Sequence, residues 1–184
     1  MMKCIINLEK MEHSKENNEI LCRTELDLKV GALGDELTDL CNEYGGGIVF
    51  VCVMKGGFMF FSDLVKHINY PIEVDFVKCS SYDGQEQKSL QLHYDIETNI
   101  TDKTVFIIDD ILDSGKTMNF LINHFKTLGV KQIETVSAVY KENVDFPNHL
   151  CIYTQPKNED PWYVGYGMDD YKGYQRNLDT IYKL

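Results

Sequence analysis

VFIIDDILDSGKT, residues 105–117, decides the fold of this chain. Four apolar residues, Val105 to Ile108, run into two adjacent carboxylates, Asp109 and Asp110. Ile111 and Leu112 follow, then Asp113, and Ser114-Gly115-Lys116-Thr117 opens the next segment. An uninterrupted, β-branched apolar run reads as a strand buried on both faces, as in a parallel sheet. Ligands of open α/β sheets sit beyond the carboxyl ends of the strands, and the free amides at a helix N-terminus cradle anions. Residues 113–117 are therefore expected to hold a phosphate monoester. Gly115 permits close backbone approach, and Ser114 and Thr117 add hydroxyl donors. Asp109 and Asp110 are placed to hold sugar hydroxyls, directly or through Mg²⁺. A Walker-type loop would need glycine five residues before Gly115, where the chain has Asp110. A simple helix N-cap on Asp113 or Ser114 leaves the two strand-end acids without a purpose.

Outward from this stretch, strands and helices alternate. IVFVCV (48–53) is a second continuous apolar run, followed by Lys55-Gly56-Gly57 and a helix expected over 58–69, before Pro71. IEVDFVKC (72–79) alternates as a strand does, and residues 80–100 lack a period and read as a long mobile loop. The helix opened by residues 114–117 is expected to end at Gly129, and QIETVSAVY (132–140) reads as a further strand. Upstream, the spacing of Val30, Leu33, Leu37, Leu40 and Cys41 is helical and stops at Gly45-Gly46-Gly47. This order predicts an α/β fold with a mostly parallel central sheet and helices on both faces. WYVGYG (162–167) and TIYKL (180–184) read as late strands that meet the N-terminal segment in a small second lobe. The length of 184 residues suits one domain over residues 1–184.

Composition narrows the function. A net charge of −11 argues against a nucleic-acid binder, which needs Lys and Arg to displace counterions. Six cysteines, with no CxxC spacing, read as reduced thiols of a cytoplasmic protein. No stretch approaches the ~20 apolar residues of a membrane span, and the polar N-terminal stretch does not read as a signal peptide.

The run 105–117 resembles the phosphoribosyl-pyrophosphate motif of the type I phosphoribosyltransferases: four apolar residues, two acids, two apolar residues, then an acid-hydroxyl-glycine turn. Further segments, spanning roughly 48–178, are similar to the hypoxanthine-guanine branch of that family. The resemblance implies the type I phosphoribosyltransferase fold with a hood built from the N- and C-terminal segments. In VCVMKGGFMFFSDL (51–64), it assigns Lys55 and Gly56 to pyrophosphate, with a Met54–Lys55 peptide that can be cis. Ser81 and Tyr82 fall in a loop that closes over the reacting centre. Asp109, Asp110, Ser114, Gly115, Lys116 and Thr117 hold the sugar and its 5′-phosphate, and Asp113 is the catalytic base. Ile111, Lys141, Trp162 and Tyr163 bind the purine. Lys141 donates to the 6-oxo group and so rejects 6-amino bases, Trp162 stacks on the ring, and Tyr163 presents backbone groups to the base edge. Arg176 contacts pyrophosphate. Mg²⁺ is held at Asp109 and Asp110 and, as a second ion, at Asp169. The interval from Asp169 to Arg176 is one residue longer than the common pattern, which leaves Asp170 as the alternative ligand; Asp169 is preferred because it directly follows Gly165-Tyr166-Gly167-Met168. Asp109 stands where glutamate is common in the branch, and this shorter side chain implies a water-mediated sugar contact.

The substrates so implied are a 6-oxopurine and phosphoribosyl pyrophosphate, in a homodimer or homotetramer. The competing readings are a transferase for xanthine or another base, and a non-catalytic RNA-binding regulator on the same fold. The charge of −11 and the retained Asp113 speak against the regulator.

Overall fold

A computed structural model describes residues 18–83, 88–142 and 144–184, with backbone alone at 81–83 and 88–89. The main sheet has six strands in the order β4-β3-β2-β5-β6-β7. They are β2 (Ile48–Met54), β3 (Glu73–Asp83), β4 (Lys88–Tyr94), β5 (Thr104–Leu112), β6 (Gln132–Lys141) and β7 (Leu150–Gln155). All neighbours run parallel except β3 and β4, which are antiparallel. Helices α1 (Arg23–Tyr44), α2 (Phe58–Leu64) and α3 (Lys116–Thr127) cover it.

Strand side chains alternate between faces, and the two faces bury different helices. Phe50, Cys52, Phe106 and Ile108 pack with Leu26, Val30, Leu33 and Leu37 of α1 and Phe60, Phe61 and Leu64 of α2. Val49, Val51, Val53, Val105 and Ile107 pack with Met118, Leu121 and Phe125 of α3. Both faces are thus apolar, which is why β2 and β5 read as unbroken apolar runs. The start of α1 is fixed by a capping box, in which the Cys22 N–H donates to Glu25 at 2.9 Å.

A second sheet of three strands, β1 (Glu19–Leu21), β9 (Ile181–Lys183) and β8 (Tyr163–Val164), joins the start of the described chain to its end. This is the small lobe expected from the sequence.

Three expectations are corrected. Much of 80–100 is paired structure: β3 runs on to Asp83 and β4 returns antiparallel to it, with Ser80 opposite Gln91. Its many polar residues hide a ladder whose short apolar face, Cys79 and Leu92, packs on the core. Leu150–Gln155 adds a strand, β7, that the sequence reading does not include. The helix expected over 58–69 closes at Leu64 and tightens into a 3₁₀ turn, Val65–His67. Among the described residues no helix is long and apolar enough to cross a membrane.

Candidate active site

β5 carries the acids to the end of the sheet. Asp109 is 8% exposed, and one of its carboxylate oxygens accepts the Asp110 N–H at 2.9 Å. Burial, and then the neighbouring Asp110 charge, raise its pKa well above the ordinary carboxylate range. The Asp110 carboxylate accepts the Ile111 N–H at 3.0 Å. Beyond Asp113 and Ser114, Gly115 takes a left-handed conformation (φ 71°) and caps α3. The amides of the first turn of α3 are thereby left free, and the hydroxyls of Ser114 and Thr117 stand beside them.

A cavity of about 740 Å³ lies over this turn. Its walls are Asp109 to Phe120, Val53 and Met54 at the end of β2 with Gly56 just beyond, and Cys79 and Leu90 from the β3–β4 hairpin. The Met54–Lys55 peptide is cis. Gly56 lets the Asp110 carboxylate lie against the turn: a Cβ would lie 1.7 Å from Asp110 Oδ2 and displace it. Lys55 is exposed at the same turn, outside the cavity wall. The side chains of Ser81 and Tyr82 lie outside the described residues, although their backbone belongs to β3.

A smaller cavity, about 130 Å³, adjoins the first. Asp110, Ile111 and Asp113 line both. The remaining walls of the smaller one are Lys141 from the end of β6, Pro161, Trp162, Tyr163, Met168 and Asp169. Lys141 is 9% exposed, and its Nζ lies 2.5 Å from Asp113 and 2.7 Å from Asp160. Burial works against its charge, but the hydrogen bonds to Asp113 and Asp160 outweigh it and raise the pKa. Trp162 is half exposed, and its indole N–H donates to the Asp169 carbonyl at 2.7 Å. That bond ties the flat face of the pocket to the acid-bearing turn.

The turn Gly165–Gly167 locks one cavity to the other. A Cβ on Gly167 (φ 101°) would lie 2.1 Å from the Gly56 carbonyl, so the hood backbone rests directly on the backbone of the β2 turn. Between these glycines Tyr166 drops into the core, 1% exposed, and its phenol donates to Asp63 of α2 at 2.9 Å. Asp63 also pairs with Arg23 and Lys66. Burial pushes its pKa up, but the three hydrogen-bond donors more than offset this and hold it below the ordinary value.

Arg176 lies outside the walls of both cavities but beside them: Nη1 donates to the Gly167 carbonyl at 2.7 Å and Nη2 pairs with Asp169 at 2.5 Å. Asp170, next to Asp169, bonds to its own turn. Its Oδ1 accepts the N–H groups of Lys172 and Tyr174, both at 2.9 Å. These backbone bonds, led by that from Tyr174, lower its pKa. Asp170 is thus committed to its own turn, while Asp169 faces the pocket.

Residues 28–170 match the model of the phosphoribosyl transferase domain. The chain belongs to the phosphoribosyltransferase family. Its similarity lies with the hypoxanthine-guanine branch. It is 32% identical to the hypoxanthine-guanine phosphoribosyltransferase of Bacillus subtilis over 174 residues, covering 93% of this chain and 94% of that one. It is 30% identical to the hypoxanthine-guanine-xanthine phosphoribosyltransferase of Tritrichomonas foetus over 162 residues, 85% of each. A crystal structure of a hypoxanthine-guanine phosphoribosyltransferase from Bacillus anthracis, with HEPES in its active site, superposes with a TM-score of 0.82 at 32% identity, covering 92% of this chain and 99% of that one.

In this phosphoribosyltransferase, most residues singled out from sequence gather at the two cavities. Reasoning from sequence missed three that support the cavity walls from behind without lining them. Asp160 precedes Pro161 and looks like a surface turn until β6 delivers Lys141 beside it. Asp63 reads as an ordinary polar face of α2. Tyr166 reads as part of a glycine-rich strand end; its link to Asp63 spans 103 positions, beyond the reach of any local signal.

Proposed function

We propose that this phosphoribosyltransferase joins hypoxanthine, and guanine, to phosphoribosyl pyrophosphate, giving the nucleoside 5′-monophosphate and pyrophosphate in purine salvage. The observation that carries this is the shared wall. A phosphate-suited cavity at the N-terminus of α3 and a flat, lysine-bearing cavity meet at Asp110, Ile111 and Asp113. A sugar lying across that wall has its 5′-phosphate at residues 113–117 and its C1 toward the second cavity.

In the reaction the bond from C1 to pyrophosphate breaks, the electron pair leaves with pyrophosphate, and a ring nitrogen of the purine bonds to C1. Positive charge builds on the sugar as the leaving group departs, so fixed charges and exclusion of water carry the catalysis. Asp113 shares the proton of the purine N7 and makes the attacking nitrogen more nucleophilic. Lys141 donates to the 6-oxo group. A 6-amino group would present a donor to a donor, a mismatch that costs far more than a missing methyl. Ile111 and Trp162 hold the ring from its two faces, and the backbone at Tyr163 meets its edge. Lys55, Gly56 and Arg176 serve pyrophosphate, with Ser81 and Tyr82 on the hairpin that covers it. Lys116 adds a positive charge at the phosphate turn.

The donor set suits Mg²⁺, a hard cation that binds through one or two carboxylates and substrate oxygens. Asp109, Asp110 and, at the other cavity, Asp169 offer carboxylate oxygens at the walls. Bound there, the ion would neutralise charge on the pyrophosphate leaving group. The same reading takes residues 1–184 as one domain, in a homodimer or homotetramer in the reducing cytoplasm. Five described cysteines are free, in keeping with that location.

The test is a spectrophotometric panel with donor, Mg²⁺ and hypoxanthine, guanine, xanthine, adenine or uracil. Turnover of hypoxanthine and guanine, with adenine and uracil inert, is expected. Turnover of adenine would remove Lys141 as the selective donor, and an inert panel would return the chain to a binding role.

A further inference from the structure

The proposed function makes Lys141 the group that recognises the 6-oxo oxygen, and the role of its neighbour Asp160 depends on that function. An ammonium has three N–H donors in tetrahedral array. In this structure Nζ meets Asp113 at 2.5 Å and Asp160 at 2.7 Å. Two of its donors are therefore spoken for before any base arrives.

The two carboxylates differ in what the reaction asks of them. Asp113 must turn to the purine proton, so its hold on Lys141 weakens when the base binds. Asp160 has no such task, and the backbone on either side of it is held in place. Gln155 Nε2 donates to the Glu159 carbonyl at 2.5 Å, and the Glu159 N–H donates to the Pro156 carbonyl at 3.2 Å. Lys183 of β9 reaches Glu159 at 3.3 Å, and the Leu184 N–H donates to the Trp162 carbonyl at 2.8 Å. Pro161 confines Asp160 to extended backbone. The segment is thus pinned at one end to β7 and at the other to the three-stranded sheet.

We propose that Asp160 is a positioning residue for base selectivity: it keeps one Lys141 N–H engaged while Asp113 is occupied with the purine. With one donor fixed, the directions open to the others are restricted, and one is kept for the 6-oxo group. Without Asp160, Lys141 has Asp113 as its sole fixed partner and competes with the purine for it. The competing description is an exposed ion pair of no consequence, since the Asp160 side chain is 80% exposed and such pairs contribute little to stability.

The experiment is steady-state kinetics of the intact enzyme with hypoxanthine and with adenine. It compares wild type, Asp160→Ala, Asp160→Asn, Lys141→Ala and the double variant Lys141→Ala/Asp160→Ala. Asp160→Ala is expected to raise KM for hypoxanthine by about fivefold, the scale of one ordinary hydrogen bond. Donor KM and Tm should stay as in wild type. Asp160→Asn, which keeps an acceptor oxygen, should recover part of the loss. In the Lys141→Ala background, removing Asp160 should do nothing more, because it acts through that lysine. A wild-type KM for hypoxanthine in Asp160→Ala, or the same loss in both backgrounds, overturns the proposal. If Lys141→Ala leaves the base profile unchanged, the proposed function fails and takes this inference with it. If Lys141→Ala matters and Asp160→Ala is silent, only this inference fails.

Discussion

The phosphate turn at 113–117 and the hood turn at 165–176 border adjoining cavities but are built in opposite ways. The first is one continuous stretch that leaves β5 and enters α3, so its geometry follows from local sequence. The second is assembled by contact. Tyr166 reaches Asp63, Gly167 rests on Gly56, and Trp162 holds the Asp169 carbonyl. Substitutions in the first should touch binding alone; substitutions in the second should touch binding and stability together.

The strongest way to break this contrast is Gly167→Ala. The new methyl meets the Gly56 carbonyl at 2.1 Å on a backbone that disfavours any side chain. Displacing that turn by an ångström should cost roughly a hundredfold in kcat/KM. Near-normal kinetics would mean that the hood and the β2 turn are not mechanically joined. Next in size is Tyr166→Phe, which keeps the ring but strips one donor from a half-buried carboxylate. Calorimetry should show a loss of about 2 kcal/mol, as for hydrogen bonds to charged groups, and kinetics a raised KM for the base.

The sheet beneath both regions gives a third test. His149 is 1% exposed, with Nε2 on Ser137 at 2.7 Å and Nδ1 on Thr135 at 2.9 Å, both residues of β6. Burial lowers its pKa from 6.5 to about 3. Between those values the unfolded chain binds the proton and the folded one does not. The stability is therefore fully present above pH 6.5 and is lost as pH falls toward 3, at up to about 1.4 kcal/mol per pH unit. Denaturant titrations from pH 7 to pH 4 should show this slope, and His149→Gln should flatten it. The smallest effect is expected from Ser114→Ala: donor KM up severalfold, as for about 1 kcal/mol of a lost hydrogen bond, with Tm unmoved. A fall in Tm would blur the contrast from the other side.

The same division explains what could be read from sequence. β2, β5, β6 and the helices between them were legible because burial on both faces writes long apolar runs into the chain. The phosphate turn was legible because strand, acids, hydroxyls and helix are consecutive. The β3–β4 hairpin was not: Leu90, Leu92 and Tyr94 alternate as a strand does, but the run is short and set in a long polar stretch. β7 was missed because LCIYTQ is short and bounded by polar residues. The roles of Asp63, Tyr166 and Asp160 stayed hidden for another reason. Each has meaning only through a partner that the topology, not the neighbouring sequence, supplies. The turn after Asp169 was not legible either: Asp170 spends its carboxylate on the backbone of Lys172 and Tyr174, while Asp169 pairs with Arg176.

The bare contact between Gly56 and Gly167 also sets where this enzyme can vary. With no side chain on either partner, nothing at that seam can be enlarged, recharged or repacked, so inherited change must gather around it. Directed evolution of the base pocket should therefore hold 56 and 165–167 constant and draw its diversity from 157–158 and 171–175. Those segments lie near the base pocket on its solvent side, with residues already assigned to the base left out, and can be redrawn without moving the seam.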